Sequence, residues 1–120
     1  MSVLKDKSFS LAIKIVQVYK YLVEEKREFV MSKQLLRSGT SVGAMVRESR
    51  NAESKNDFIH KLGIAQKECD ETLYWFELLH VTGYLNEEKF RECFEYASEV
   101  LRIIKSAILT GKENLKKSGK

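Results

Sequence analysis

The sequence predicts an all-α protein, an antiparallel up-down-up-down bundle of four helices. Three observations carry that prediction. Phe58, Leu62, Ala65, Cys69, Thr72, Phe76 and Leu79 recur in alternating steps of four and three, the spacing that keeps one side of a long helix apolar. The 120 residues include no proline and only six glycines, so nothing interrupts long helices. No segment shows strand alternation bounded by turn residues. A chain of this length makes a single domain.

The first helix is predicted over about residues 8–25, with Ser8 as its N-cap. Eleven of the fifteen residues at 9–23 are apolar, the exceptions being Ser10, Lys14, Gln17 and Lys20. One strip carries Phe9, Ala12, Ile13, Val16, Tyr19 and Val23; another carries Leu11, Ile15, Val18 and Leu22. A bundle helix needs only about a third of its circumference apolar. The surplus predicts an oligomer surface, assigned to Leu11, Ile15, Val18 and Leu22, because an exposed strip of that size otherwise promotes aggregation.

The second helix is predicted over about residues 33–51, with Ser32 as its cap. It contains R-S-G-T-S-V-G-A at 37–44, in which Gly39 and Gly43 form a G-x-x-x-G among small neighbours. A break into two shorter helices is the rival reading. Continuity is preferred because Leu35, Val42, Met45 and Val46 continue the apolar phase. No lysine follows either glycine, so a phosphate loop of the Walker type is excluded.

The third helix spans about residues 55–82, capped by Ser54 with Asp57 in the capping-box position, and Gly83 suits its C-terminal stop. Trp75 and Leu78 lie off its main seam and are assigned to the second helix's small face or to a neighbouring subunit. The fourth helix spans about residues 87–114, opened by Asn86 and two glutamates. It carries Phe90, Phe94, Ala97, Leu101, Ile104, Ile108, Gly111 and Leu115 on its seam, and a basic tail at 115–120 follows.

The formal charge of +4 permits nucleic-acid binding without indicating it. Arg102, Lys105, Lys112, Lys116 and Lys117, with Lys120 at the end of the tail, could track phosphates. The plainer reading is a solvated helix end whose lysines complement the helix dipole. Arg37 and the acids Glu68 and Glu71 are either solvated surface charges or a pairing at the edge of the core that fixes helix register. Cys69 and Cys93 fall on the seams and read as buried, reduced thiols. The E-x-x-H at Glu77 and His80 has only a loose echo at Asp57 and His60, on the same helix and about 30 Å away, so no di-metal site forms within one subunit. No nucleophile stands at a meaningful spacing from either histidine. No apolar run of membrane-spanning length occurs, and the N-terminus lacks a signal-peptide core, so a cytoplasmic protein is expected.

Two stretches carry a family resemblance. Q-L-L-R-S-G-T-S-V-G-A at 34–44, followed by Glu48, and S-K-N-D-F-I-H-K-L-G-I-A-Q-K-E-C-D-E-T-L-Y-W at 54–75 resemble the bacterial four-helix-bundle proteins known as 23S rRNA-intervening-sequence proteins. The likeness extends over about residues 8–108, departing at Met45, Val46 and Arg47. It implies an up-down bundle assembled as a ring-like homopentamer, with no enzymatic activity and no cofactor. Related bundles that serve retroelements imply nucleic acid and a protein as partners. The prediction is therefore a non-enzymatic homo-oligomer that binds RNA or DNA through basic surface. The alternative is a protein–protein scaffold or accessory subunit with no nucleic-acid role.

Overall fold

The computed structural model describes residues 2–118. It contains four helices, α1 (Ser2–Glu24), α2 (Met31–Arg50), α3 (Lys55–Val81) and α4 (Glu87–Ser118), and no strand occurs among the described residues. The helix backbones approach one another in a closed cycle: α1 lies beside α2 and α4, and α3 lies beside α2 and α4, while the diagonal pairs stand farther apart. The result is an elongated body of 55 × 21 × 20 Å.

The third-helix seam lies in the core as its spacing requires, with Leu62, Ala65, Cys69, Thr72, Phe76 and Leu79 all buried. Ala97, Val100, Leu101 and Ile104 answer it from α4. Helix α2 is continuous through its glycines, and those glycines are where α1 comes close. A Cβ on Gly39 would stand 2.5 Å from Ile15 Cγ1, and one on Gly43 would stand 3.2 Å from the Ser8 carbonyl oxygen. The small face therefore receives α1 rather than Trp75 and Leu78. Inside the core, the Ser38 and Thr72 hydroxyls meet at 3.1 Å, and Thr72 donates to the Glu68 carbonyl at 2.8 Å. That pairing satisfies two buried polar groups and ties α2 to α3 at one register.

Four expectations need correction. Helix α1 starts at Ser2, so Ser8 is not a cap; it is buried nearly two turns inside the helix, where its hydroxyl donates to the Lys5 carbonyl at 3.1 Å. Adding Leu4 and Ser8 gives the buried seam Leu4, Ser8, Leu11, Ile15, Val18 and Leu22 in steps of four and three. Leu11, Ile15, Val18 and Leu22 are thus the subunit's own core and no oligomer surface, whereas Phe9, Ile13 and Val16 of the other strip face outward. Helix α4 continues to Ser118, so the expected tail is helical up to that residue; Gly119 and Lys120 lie outside the described residues. Ser32 does not cap α2, which begins at Met31 after Val30 with no side-chain bond from that cap position.

The start of α2 is held by Glu28 instead. Its carboxylate accepts from the backbone N–H groups of Val30 at 3.1 Å, Met31 at 2.9 Å and Ser32 at 2.7 Å, while the Ser32 hydroxyl donates to the Glu28 carbonyl at 2.9 Å. Burial pushes the Glu28 carboxyl up, but the hydrogen bonds from Met31, Ser32 and Val30 outweigh that and hold it below its ordinary value of 4.5. A depressed carboxylate stabilises the fold above its unfolded pKa and loses that effect as pH falls through the folded value. Glu28→Gln is expected to lower stability at neutral pH by about 1–2 kcal/mol. Urea titrations of the two proteins should converge as pH is lowered through the depressed Glu28 value.

The remaining helix ends follow their local chemistry. The Ser54 hydroxyl accepts from Asp57 N–H at 3.0 Å, and Asp57 reaches back to Glu53 N–H at 3.2 Å. At the far end of α3, Gly83 adopts φ +90°. There the Tyr84 N–H donates to Leu79 O and the Gly83 N–H to His80 O, the paired bonds of a Schellman stop. Asn86 caps α4 by accepting from Lys89 N–H at 2.8 Å.

Candidate nucleic-acid interface and self-association faces

Charge is unevenly distributed along α4. Residues 87–99 hold five acids against two bases, and residues 100–117 hold five bases against one acid. All five of those bases, Arg102, Lys105, Lys112, Lys116 and Lys117, are exposed. The first four share one side of the helix, at i, i+3, i+10 and i+14, and Lys117 lies off that side. Two clefts gather further cations that the sequence reading missed. Lys5, Arg47, Arg50 and Asn51 line one. The other, at the turn between α2 and α3, brings Lys55 to Lys117.

Several cations elsewhere are paired with acids. Lys7 pairs with Glu99, Lys14 with Glu92 and Lys61 with Glu48, each at 3.2 Å. Among the described residues, Lys5, Arg47 and Arg50 make no ion pair, and neither do Arg102, Lys105, Lys112, Lys116 and Lys117. Spacing along the chain could not show this, because Lys5, Arg47 and Arg50 come from the start of one helix and the end of the next.

Exposed apolar side chains form two further faces. On α1, Phe9, Ile13 and Val16 are 57%, 46% and 38% exposed. On α3, Tyr74 and Val81 are 54% and 80% exposed, and half-buried Leu78 stands between them. Trp75 is also half-buried; it packs edge-on to Tyr74 and donates its indole N–H to Glu71 at 3.0 Å.

A match to the family described as 23S rRNA-intervening sequence protein covers residues 2–106. The chain belongs to that family. It is also similar to the crystal structure of a protein of unknown function from the S23 ribosomal protein family of Bacteroides thetaiotaomicron. The two share 50% sequence identity and a TM-score of 0.88, over 89% of this chain and 96% of that one. No curated protein matches the chain.

The stretch at 34–44 that carries the resemblance to the 23S rRNA-intervening sequence proteins does packing work here. Gly39 and Gly43 admit α1, Ser38 meets Thr72, and Arg37 reaches α3. Arg37 Nη1 lies 3.2 Å from Glu68 Oε1, and its Nη2 donates to Glu71. The Trp75 indole and the Arg37 guanidinium together hold the Glu71 carboxyl below the usual carboxylate range, and Glu71 in turn raises Arg37. Arg37 is half exposed, so solvent screens the cluster and each pair is worth at most about 1 kcal/mol.

The same separation of packing from chemistry holds for the histidines and cysteines of this family member. His60 is exposed. His80 ties down the turn between α3 and α4: Nδ1 lies 2.9 Å from Leu85 O, Nε2 lies 3.1 Å from Glu87 Oε1, and the ring stacks on Phe90 at 4.3 Å. Among the described residues, no group of three His, Cys, Asp or Glu side chains is placed to hold a metal. Burial pushes the Cys69 thiol up to about 12 and the Cys93 thiol to about 11, so neither supplies a thiolate near neutral pH. No helix among the described residues is long and apolar enough to cross a membrane.

Proposed function

We propose that this chain is a non-catalytic, self-assembling bundle that holds RNA or DNA by its phosphates. The unpaired cations Lys5, Arg47 and Arg50 around one cleft carry the reading, with the cationic side of α4 extending it. Phosphates bound there would displace counterions, giving salt-sensitive and largely sequence-independent affinity.

Contact pairs support an up-down-up-down antiparallel arrangement. Gly43 lies against Ser8 while Gly39 lies against Ile15, Lys61 pairs with Glu48 while Arg37 pairs with Glu71, and Lys7 pairs with Glu99 while Lys14 pairs with Glu92. The assembly we favour is a ring. Its support is the placement of two different apolar faces on α1 and α3, which stand diagonally opposite each other. Unlike faces that meet head to tail build a ring when the rotation between copies closes, whereas a twofold dimer uses one face twice. The family resemblance implies five copies, and five chains of +4 carry about +20.

Electrophoretic shift of a structured RNA tests the reading. Binding is expected at about 50 mM salt and should weaken steeply as salt rises. Replacing Lys5, Arg47 and Arg50 together by glutamate should weaken binding by roughly 100-fold and flatten the salt dependence. No shift by the wild-type protein at low salt would sink the proposal and favour a protein scaffold.

A further inference from the structure

The cleft at the turn between α2 and α3 has the makings of a ligand site. It measures about 530 Å³, within the roughly 300–1,000 Å³ of small-ligand pockets. Ala52, half-buried Phe58 and Gly111 give it apolar walls, and Asn114 adds an amide. Lys55 and Lys117 line it as cations, and among the described residues no carboxylate does. Gly111 keeps α4 close without filling the space: a Cβ there would stand 3.2 Å from Ile59 Cγ1 and 3.4 Å from Phe58 Cε2. An aromatic ring and ammonium groups lining one cleft suit a ligand that is planar at one end and anionic at the other.

The neighbouring surface says how such a ligand would be connected. Ser49 and Ala52 line this cleft, while Arg50 and Asn51 line the cleft that also holds Lys5 and Arg47. Only the last turn of α2 and the residues after it stand between the two. A polyanion leaving the first cleft therefore meets unpaired cations in the second.

We propose that the cleft receives one nucleotide of a single-stranded nucleic acid, its base against Phe58 and its phosphates beside Lys55 and Lys117. The proposal rests on the nucleic-acid reading above and narrows it. A duplex keeps its bases stacked inside, whereas a single strand can turn one outward onto an aromatic ring. A second copy of the chain is a poorer occupant, because the exposed apolar faces lie on other parts of α1 and α3.

The test uses the full-length protein and a short single-stranded RNA carrying 2-aminopurine, with a duplex of the same length and AMP as comparators. The single strand should bind more tightly than the duplex, and its fluorescence should be quenched on binding. AMP should bind far more weakly than the strand. Phe58→Leu keeps an apolar side chain and should retain the helical circular dichroism. It should weaken single-strand binding by about tenfold and leave duplex binding unchanged. Ala52→Leu, which fills the cleft from the turn, should have the same effect. Normal single-strand affinity in both variants, or AMP binding as tight as the strand, would overturn the proposal while leaving phosphate binding elsewhere intact. Failure of every nucleic acid to bind would overturn both readings.

Discussion

Ile15→Asp is expected to abolish the folded state, whereas Ile13→Asp, two residues earlier on the same helix, should leave the subunit folded and disrupt its assembly. Ile15 is completely buried against Gly39. Its replacement loses about 2–3 kcal/mol of apolar burial and strands a carboxylate in the core at a further cost of several kcal/mol. Domains of this size are stable by only about 5–15 kcal/mol in total. Ile13 is 46% exposed, so its replacement should change subunit stability by about 0.5 kcal/mol or less. Circular dichroism reads the first effect, and light scattering on a sizing column reads the second. An Ile13→Asp protein with unchanged mass would remove the outer strip of α1 from the interface. A folded Ile15→Asp protein would reverse the assignment of the two strips.

Gly39→Val is expected to cost about 3 kcal/mol, because Gly39 is buried where α1 packs on α2. The first side-chain carbon alone would stand 2.5–2.9 Å from three carbons of Ile15, and overpacking of a rigid core typically costs about 1–3 kcal/mol. Valine, unlike alanine, recovers little of the helix propensity that glycine forgoes. Shortening the obstructing partner should relieve the clash. Chemical denaturation of Gly39→Val, Ile15→Ala and the double variant should give a double loss smaller than the sum of the two single losses by at least about 1 kcal/mol. Strict additivity would mean that α1 moves away instead, and the close approach would not be a fixed feature of the fold.

The parts of this fold that were legible share one property: their signals are local. Seam spacing located the core of α3, Ser54 and Asn86 marked two helix starts, and Gly83 marked a stop. The first helix shows where locality fails. Both of its strips repeat in steps of four and three, so period alone cannot say which one faces inward. Starting the helix at Ser8 cut Leu4 off the true seam and treated a buried serine as a terminus. The end of α1, by contrast, was legible: it was expected near residue 25 and falls at Glu24, although Arg27 adopts φ 57° where a glycine would ordinarily advertise the turn. In the candidate interface, the lysines and arginine of α4 were legible as a cluster. Lys5, Arg47, Arg50 and Lys55 were not, since only folding brings them to the two clefts. Arg37 could be matched to Glu68 and Glu71 in sequence as one of two readings, but the role of Trp75 in fixing Glu71 required coordinates.

The carboxylate of Glu28 has an effect beyond the turn it closes. By occupying the N–H groups that open α2, it removes the one unclaimed positive pole at that end of the molecule, where the charges of Glu24, Glu25, Glu87 and Glu88 are balanced by those of Lys26, Arg27, Lys89 and Arg91. The opposite end carries Lys5, Arg47, Arg50, Lys112, Lys116 and Lys117. The molecule is thus electrically lopsided along its 55 Å length, and a long-range field of that shape exerts a torque as well as a pull. A polyanion drifting past would turn the body cations-first before any side chain touched it, so the geometry of the encounter is chosen in solution rather than by trial at the surface.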